Sequence, residues 1–165
     1  MDPRNSLDQL QKEFKKGKIP YSLHGFYHGE VSLLIPNNLA ESLGSFLLRL
    51  YLPWKGKYFY RRSGDNIISS PLKLFLSLAS QKIRYIRNGI SGYHAFPFRT
   101  FIKKGIMDKK NVLELDYNLP RNPDMVRKVI DEIVEVGDNA YLGRAYIKEN
   151  ETYRLAAFFR LYKKS

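Results

Sequence analysis

Three histidines are the residues best suited to metal binding or acid–base chemistry, namely His24, His28 and His94. Because strand side chains alternate between two faces, His24 and His28 would share one face of a regular strand. A metal site normally adds a third histidine or carboxylates, and only Glu30 has the matching parity nearby. Haem would need one histidine as an axial ligand. We interpret the first two as structural or surface residues and expect His94, in a loop beside basic residues, to contact an anion. The sequence identifies neither a cofactor nor a metal site.

Glu114 and Asp116 have the alternating spacing that a pair of catalytic carboxylates on one strand would need. Facing inward, they would require partners and would mark an enzyme site of isomerase or cyclase type. Facing outward, they would be solvated charges opposite Lys103 or Arg99, which is our interpretation. The chain has no cysteine and no Gly-x-Ser-x-Gly, Gly-Lys-Ser/Thr or His-Glu-x-x-His motif. Binding, not catalysis, is therefore the predicted activity.

The positive charge of the chain is concentrated in one stretch. Residues 49–110 contain 14 of the 28 lysines and arginines but two of the 16 acidic residues, so they carry the whole net charge of +12. Such a field attracts phosphate groups, anionic lipid headgroups or carboxylates. Within the stretch, residues 58–62 and 84–87 interleave cations with aromatic rings, as platforms for single-stranded nucleic acid do. The alternative is a surface that only keeps the protein soluble.

The elements that would position these residues are mostly strands, because 12 tyrosines and 10 phenylalanines favour pleated surfaces. The patterns predict strands over 21–35, 54–62, 84–90, 96–106, 111–117, 141–147 and 152–161, a turn at 63–66, and helices over 6–17, 39–51, 72–82 and 124–135. The polar N-terminus has no apolar signal segment, and no apolar run reaches the ~20 residues that span a bilayer. We expect one cytoplasmic domain over 1–165, with residues 1–20 as an N-terminal helix and extension.

Several short segments carry a family resemblance. Gly25-Phe26-Tyr27-His28-Gly29 resembles the Gly-x-Trp-x-Gly opening of lipocalin-like, calycin-type barrels, with Tyr27 in the Trp position. The segments Trp54-Lys55-Gly56-Lys57-Tyr58-Phe59, Lys104-Gly105, Leu115-Asp116-Tyr117 with Pro120, and Leu142-Gly143 are similar to later motifs of the bacterial Gly-x-Trp-x-Gly family of uncharacterised proteins. The resemblance implies a mainly β, lipocalin-like antiparallel barrel with short flanking helices and an apolar cavity. Related barrels bind fatty acids, other small lipids or haem.

The leading hypothesis is a carrier or sensor for a small hydrophobic or amphipathic anionic ligand, lipid-like, held in the barrel behind a basic entrance. The candidate ligand-binding residues are Tyr27, Trp54, Tyr58, Phe75, Arg84, Arg87, His94, Arg99 and Asp116. Among them Phe75 belongs to a predicted lid, and the arginines would meet a carboxylate or phosphate head. The alternative hypothesis is a module that binds nucleic acid or an anionic membrane surface through residues 49–110.

Overall fold

A computed structural model describes residues 3–35, 54–69 and 87–163. The elements are α1 (Pro3–Lys16), β1 (Gly25–Leu34), β2 (Trp54–Phe59), β3 (Ser63–Ile68), β4 (Arg87–Gly89), β5 (Gly92–Lys104), β6 (Asn111–Asp116), β7 (Val129–Gly137), β8 (Ala140–Glu149) and β9 (Thr152–Tyr162), with a 3-10 helix at Val126–Lys128. The predicted helices over 39–51 and 72–82 lie outside the described residues, as do the candidate site residues Phe75 and Arg84.

The strands form one antiparallel sheet that closes on itself. Their order is β3-β2-β1-β9-β8-β7-β6-β5-β4, and β3 also pairs with β5, so that eight strands complete a barrel. The short β4 pairs with the beginning of β5. The predicted mainly β, antiparallel barrel with a short flanking helix is confirmed. Closure matters because it removes the unpaired edges along which open sheets aggregate.

Aromatic side chains fill the barrel interior. Tyr27 is 2% exposed, and its ring meets those of Phe59 and Tyr141 edge to face at centroid distances of 5.4 and 5.5 Å. Gly29 allows Trp54 to lie against β1, because a Cβ atom there would come within 2.4 Å of the indole Cη2. Tyr27 therefore has a packing role, and Gly29 is a point where another side chain closely approaches the backbone of β1.

The helix α1 packs on the outside of the barrel. Its apolar stripe of Leu7, Leu10 and Phe14, which the periodicity predicts, joins a second core. The barrel contributes the outward-facing Val112, Val134, Leu142 and Phe158 to this core. The helix begins at Pro3, earlier than the predicted start at Ser6. A helix that buries its apolar face on the domain presents its charged face to solvent.

Two predicted elements are wrong. The segment 124–135 contains a single 3-10 turn and then the strand β7, not a helix. Its apolar residues fit both periods, and the β-branched Val129, Ile133 and Val134 favour the strand. Residues 63–66 belong to β3 rather than to a turn. Gly64 is needed there because a Cβ atom would lie 2.4 Å from Phe98 Cζ, so this glycine marks a close approach rather than a chain reversal.

Candidate functional site

Two polar groupings lie on opposite faces of the same strands. In the register of β2 and β3, Lys57 pairs with Asn66 and Tyr58 pairs with Asp65. Because side chains alternate along a strand, the first pair points into the barrel and the second points outward. We call the inward group, with Tyr117 and Asp131, the inner polar cluster.

The inner polar cluster is a buried ion pair with neutral partners. Lys57 Nζ lies 2.8 Å from Asp131 Oδ2, and the two side chains are 3% and 2% exposed. The ammonium also donates to Asn66 Oδ1 at 2.9 Å and to the Tyr117 hydroxyl at 2.5 Å. That hydroxyl in turn donates to Asp131 Oδ2 at 2.8 Å. Each donor of the ammonium therefore has a partner, as a buried cation requires.

Aromatic rings enclose the Lys57 ammonium. The rings of Trp54, Phe98, Tyr117 and Phe159 have centroids 5.1 to 5.5 Å from Nζ, which is the range of cation–π attraction. Burial lowers the pKa of Lys57, and the Asp131 carboxylate opposes that shift. The Trp54 indole N–H donates to Asn66 Oδ1 at 3.0 Å, which fixes the ring across the cluster.

Little space remains beside this cluster. A cavity of about 20 Å³ lies between it and Phe96, Val126 and Val129, enough for roughly one water molecule. Within the described residues, the barrel interior is therefore filled by side chains next to the cluster. The polar groups here hold the core together and leave no room for a lipid-sized ligand among them.

The larger cavity is an open cleft on the outer face, which we call the outer cleft. It has a volume of about 590 Å³ and lies between the β2–β3 end, β5 and the loop that follows β6. Its polar lining residues are Tyr60, Ser63, Asp65, His94, Arg99 and Arg121, and its apolar ones include Pro97, Leu119 and Pro120. Its size is typical of small-molecule sites, which occupy about 300–1,000 Å³.

One wall of the outer cleft is a hydrogen-bonded group of three side chains. Asp65 Oδ2 accepts from the Tyr60 hydroxyl at 3.0 Å and lies 3.1 Å from His94 Nδ1. The Tyr58 ring packs against the imidazole at a centroid distance of 5.3 Å. The other ring nitrogen lies against β4, because a Cβ atom at Gly89 would be 2.7 Å from Nε2. The imidazole is thus locked in place and 8% exposed.

The opposite wall carries two exposed arginines. Arg99 projects from β5, and Arg121 projects from the loop after β6. The Asn122 side chain fixes that loop by donating to the carbonyl oxygens of Pro97 and Tyr117, both at 2.8 Å. The two guanidinium groups are therefore mounted on a strand and on a fastened loop, which reduces the entropy lost when a ligand binds.

The structure brings some of the predicted site residues together and separates others. His94 and Arg99 line the outer cleft, and Tyr58 packs behind His94. Arg87 lies in β4, in register with His94. Tyr27 is a core residue of the barrel, and the partly buried Trp54 packs against that core. Asp116 is half-buried opposite Arg99 and accepts from the amide of Asn118 at 2.8 Å.

The sequence-based hypothesis missed Tyr60, Asp65 and Arg121, which complete the cleft. The sequence contained an indication for Asp65, because it is one of only two acidic residues within the basic stretch 49–110. Lys57, on the predicted strand 54–62, faces the barrel interior rather than solvent. It shares inward parity with Phe59, and both are buried.

The candidate carboxylates do face outward, but Glu114 is not solvated. It is 6% exposed, with Lys103 Nζ 2.5 Å from its Oε1. Its cross-strand partner is the buried Glu132, which accepts from the Ile106 amide at 2.5 Å. Burial raises the pKa of Glu132, and the Arg144 guanidinium opposes the shift. Among the described residues, no group of histidine and acidic side chains has the arrangement of a metal site.

Comparison with known proteins supports the architecture. No protein-family model matches the chain, and no curated protein matches it. The crystal structure of a protein from Thermomonospora curvata superposes over 100% of both chains, with a TM-score of 0.56 and 14% sequence identity. The likeness shows the fold alone. Within the described ranges, no helix has the length and apolarity needed to cross a bilayer.

Proposed function

We propose that this barrel binds a small amphipathic anion in the outer cleft, without a catalytic step. The observation that carries the proposal is a ligand-sized cleft of about 590 Å³ with two arginines and an apolar floor. The ligand retains the chemical character predicted from the sequence, an acidic head and an apolar body. The proposed binding site is on the outer face rather than in the barrel interior, because the cavity beside the inner polar cluster has a volume of only about 20 Å³.

The head of such a ligand would meet the guanidinium groups of Arg99 and Arg121. Guanidinium presents parallel N–H donors that match the two oxygens of a carboxylate or phosphate. Asp65 is the acidic residue that lines the cleft, and its Oδ2 is already engaged by Tyr60 and His94. The exposed Arg99 side chain supplies the positive charge that an anion in the cleft would meet.

The apolar body of the ligand would lie on Pro97, Leu119 and Pro120. Proline and leucine side chains offer a non-polar surface without hydrogen-bonding demands, so this wall favours hydrocarbon or an aromatic ring. The two walls together select amphipathic anions over simple inorganic ones. We expect His94 to shape the wall of the cleft rather than to act on a reacting group. Its ring is held by Asp65 and lies against Gly89.

Calorimetric titration with medium-chain fatty acids, aromatic carboxylates and a phosphate monoester tests the proposal. We expect at least one class to bind, and we expect Arg99→Ala to weaken that binding about tenfold or more, because hydrogen bonds to charged groups contribute about 1.5–3 kcal/mol. Arg154→Ala is the matched control. Arg154 is exposed on β9, its Nε lies 2.6 Å from Glu149 Oε2, and neither residue lines the cleft. Equal affinity of the Arg99 and Arg154 variants, or no binding by any class, would contradict the proposal.

A further inference from the structure

The β5–β6 hairpin exposes an unusual amount of apolar surface. Phe101, Ile102 and Met107 are 39%, 60% and 50% exposed, and they are three of the six large hydrophobic residues that are exposed in the described part of the chain. Exposed apolar residues are ordinary when scattered singly, whereas a concentration of them marks an interaction site. Phe101 and Ile102 alternate between the two faces of β5, so the hairpin exposes apolar side chains on both faces.

This hairpin extends beyond the closed part of the barrel. The pairing of β5 with β3 ends at Arg99, whereas its pairing with β6 continues to Lys104. The connecting turn is firmly fastened, because Asp108 forms an ion pair of 2.6 Å with the buried Arg144. The exposed apolar side chains therefore project from a rigid support.

Two parts of the chain that meet near the hairpin turn contribute lysines to this region. The hairpin contributes Lys103, Lys104, Lys109 and Lys110, and α1 contributes the exposed Lys12, Lys15 and Lys16. Lys110 joins the two parts by donating to the carbonyl oxygens of Phe14, at 3.2 Å, and Lys15, at 3.0 Å. Met107 adjoins α1 as well, with Sδ 3.9 Å from Gln11 Nε2.

Three acidic residues of this region have cationic partners. Asp108 is paired with Arg144, and Glu114 is paired with Lys103. On α1, Glu13 forms an ion pair of 2.6 Å with Arg160. The lysines consequently outnumber the exposed acidic residues and produce a net positive field around the exposed side chains. On α1, Asp8 is an exposed carboxylate.

We propose that this hairpin–helix surface docks on an anionic lipid bilayer. It consists of Ile102, Met107, Lys104 and Lys109 on the hairpin together with Lys12, Lys15 and Lys16 on α1. The lysines would contact the phosphate and carboxylate headgroups, each adding to the attraction within the range of the surface field. Ile102 and Met107 would enter the boundary between headgroups and acyl chains.

The chemistry of the surface favours lipid over nucleic acid. Its two most exposed large apolar side chains are aliphatic, whereas single-stranded nucleic acid is held by stacking on aromatic rings. Phe101, the aromatic residue of this hairpin, already has Lys103 Nζ over its ring, 5.1 Å from the centroid. α1 itself would not insert, since Leu10 and Phe14 are buried against the barrel.

Co-sedimentation with vesicles of phosphatidylcholine, alone or mixed with phosphatidylserine, tests the proposal. We expect binding to the mixed vesicles that weakens as salt is added. Lys104→Glu combined with Lys109→Glu should lower the partition coefficient by about fivefold or more for each lysine changed. Ile102→Ser combined with Met107→Ser should lower it with little change in the salt dependence.

Matched controls lie at the other end of the barrel. Ile90 is fully exposed in the turn before β5, and Lys128 is exposed before β7, so Ile90→Ser and Lys128→Glu should leave vesicle binding unchanged. Circular dichroism of every variant checks that it is folded. Equal binding to neutral vesicles, equal losses in the control variants, or binding to single-stranded RNA with none to mixed vesicles would each overturn the proposal.

Discussion

The inner polar cluster and the outer cleft are built from adjacent residues whose side chains point to opposite faces of the same strands. Lys57 points into the barrel and Tyr58 points out, and the same holds for Asn66 and Asp65 on the paired strand. The inward group has about 20 Å³ of space beside it, whereas the outward group borders about 590 Å³. The difference shows that strand parity, not residue type, decides which polar groups maintain the fold and which can meet a ligand.

The energetic consequences differ accordingly. A charge inside the barrel cannot turn to bulk solvent, so removing one member of the ion pair leaves the other charge buried and unpaired. A charge or hydroxyl at the cleft can turn to solvent instead. Substitutions in the inner polar cluster should therefore change stability strongly, and those in the outer cleft should change mainly binding.

The largest effect is expected for Lys57→Met. The substitution leaves the Asp131 carboxylate buried without its counter-ion, and we expect the free energy of unfolding to fall by about 3–5 kcal/mol. Urea denaturation followed by circular dichroism measures the change. Lys55→Met is the matched control, since Lys55 is exposed on the same strand and should change stability by about 0.5 kcal/mol or less.

Replacing both charges sharpens the same test. Lys57→Met combined with Asp131→Leu removes the unpaired carboxylate and should regain most of the lost stability, as buried ion pairs replaced by apolar residues commonly do. If the double variant is as unstable as Lys57→Met alone, packing around the ammonium, rather than the ion pair, dominates.

A smaller effect of opposite sign is expected for Glu132→Gln. Glu132 lies on the outward face of the sheet, but its side chain is buried. Burial raises the pKa of Glu132 in the folded protein above the ordinary value of 4.5. Its contribution to stability is therefore present below that ordinary pKa and is lost as pH rises through the raised one. The amide keeps the acceptor for Ile106 without the charge. We expect a gain of about 1 kcal/mol at neutral pH.

Denaturation of the wild type and the Glu132→Gln variant between pH 4.5 and 8 provides the measurement. The stability difference should grow with pH across this range, because only the wild type ionises there. A difference that is constant with pH, or a variant that is less stable at neutral pH, would show that the carboxylate is stabilised by Arg144 more than it is penalised by burial.

The smallest effect is expected for Tyr60→Phe in the outer cleft. The substitution removes one hydrogen bond to Asp65, which is partly exposed, so we expect a loss of about 0.5–1 kcal/mol. NMR of the His94 ring should still report its contact with Asp65. A loss as large as that of Lys57→Met would mean that the two polar groupings are not energetically distinct.

The sequence predicts those features that depend on neighbouring residues. The apolar stripe of Leu7, Leu10 and Phe14 predicts α1, and the aromatic content with its alternation predicts a mainly β fold, whereas the barrel is implied by the family resemblance. Gly29 lies at a close approach of the backbone, which a glycine within a strand commonly marks.

The features that depend on distant partners could not be predicted. Lys57 is buried because β7 brings Asp131 opposite it, and the periodicity of residues 124–135 fits a helix as well as a strand. The outer cleft requires the loop carrying Arg121 to lie beside β5, a placement fixed by Asn122 and not by any local pattern. Charge counts along the chain likewise gave no indication of which lysines are buried.

The pairing of β1 with both β2 and β9 has a consequence for synthesis on the ribosome. The barrel cannot close until residues 152–162 have left the exit tunnel, because the last strand supplies the neighbour of the first. Until then the nascent chain holds β1 with one unsatisfied edge, and α1 lacks the Phe158 surface on which it rests. Closure of the barrel is thereby postponed until residues 152–162 have been synthesised, when the whole sheet can form together.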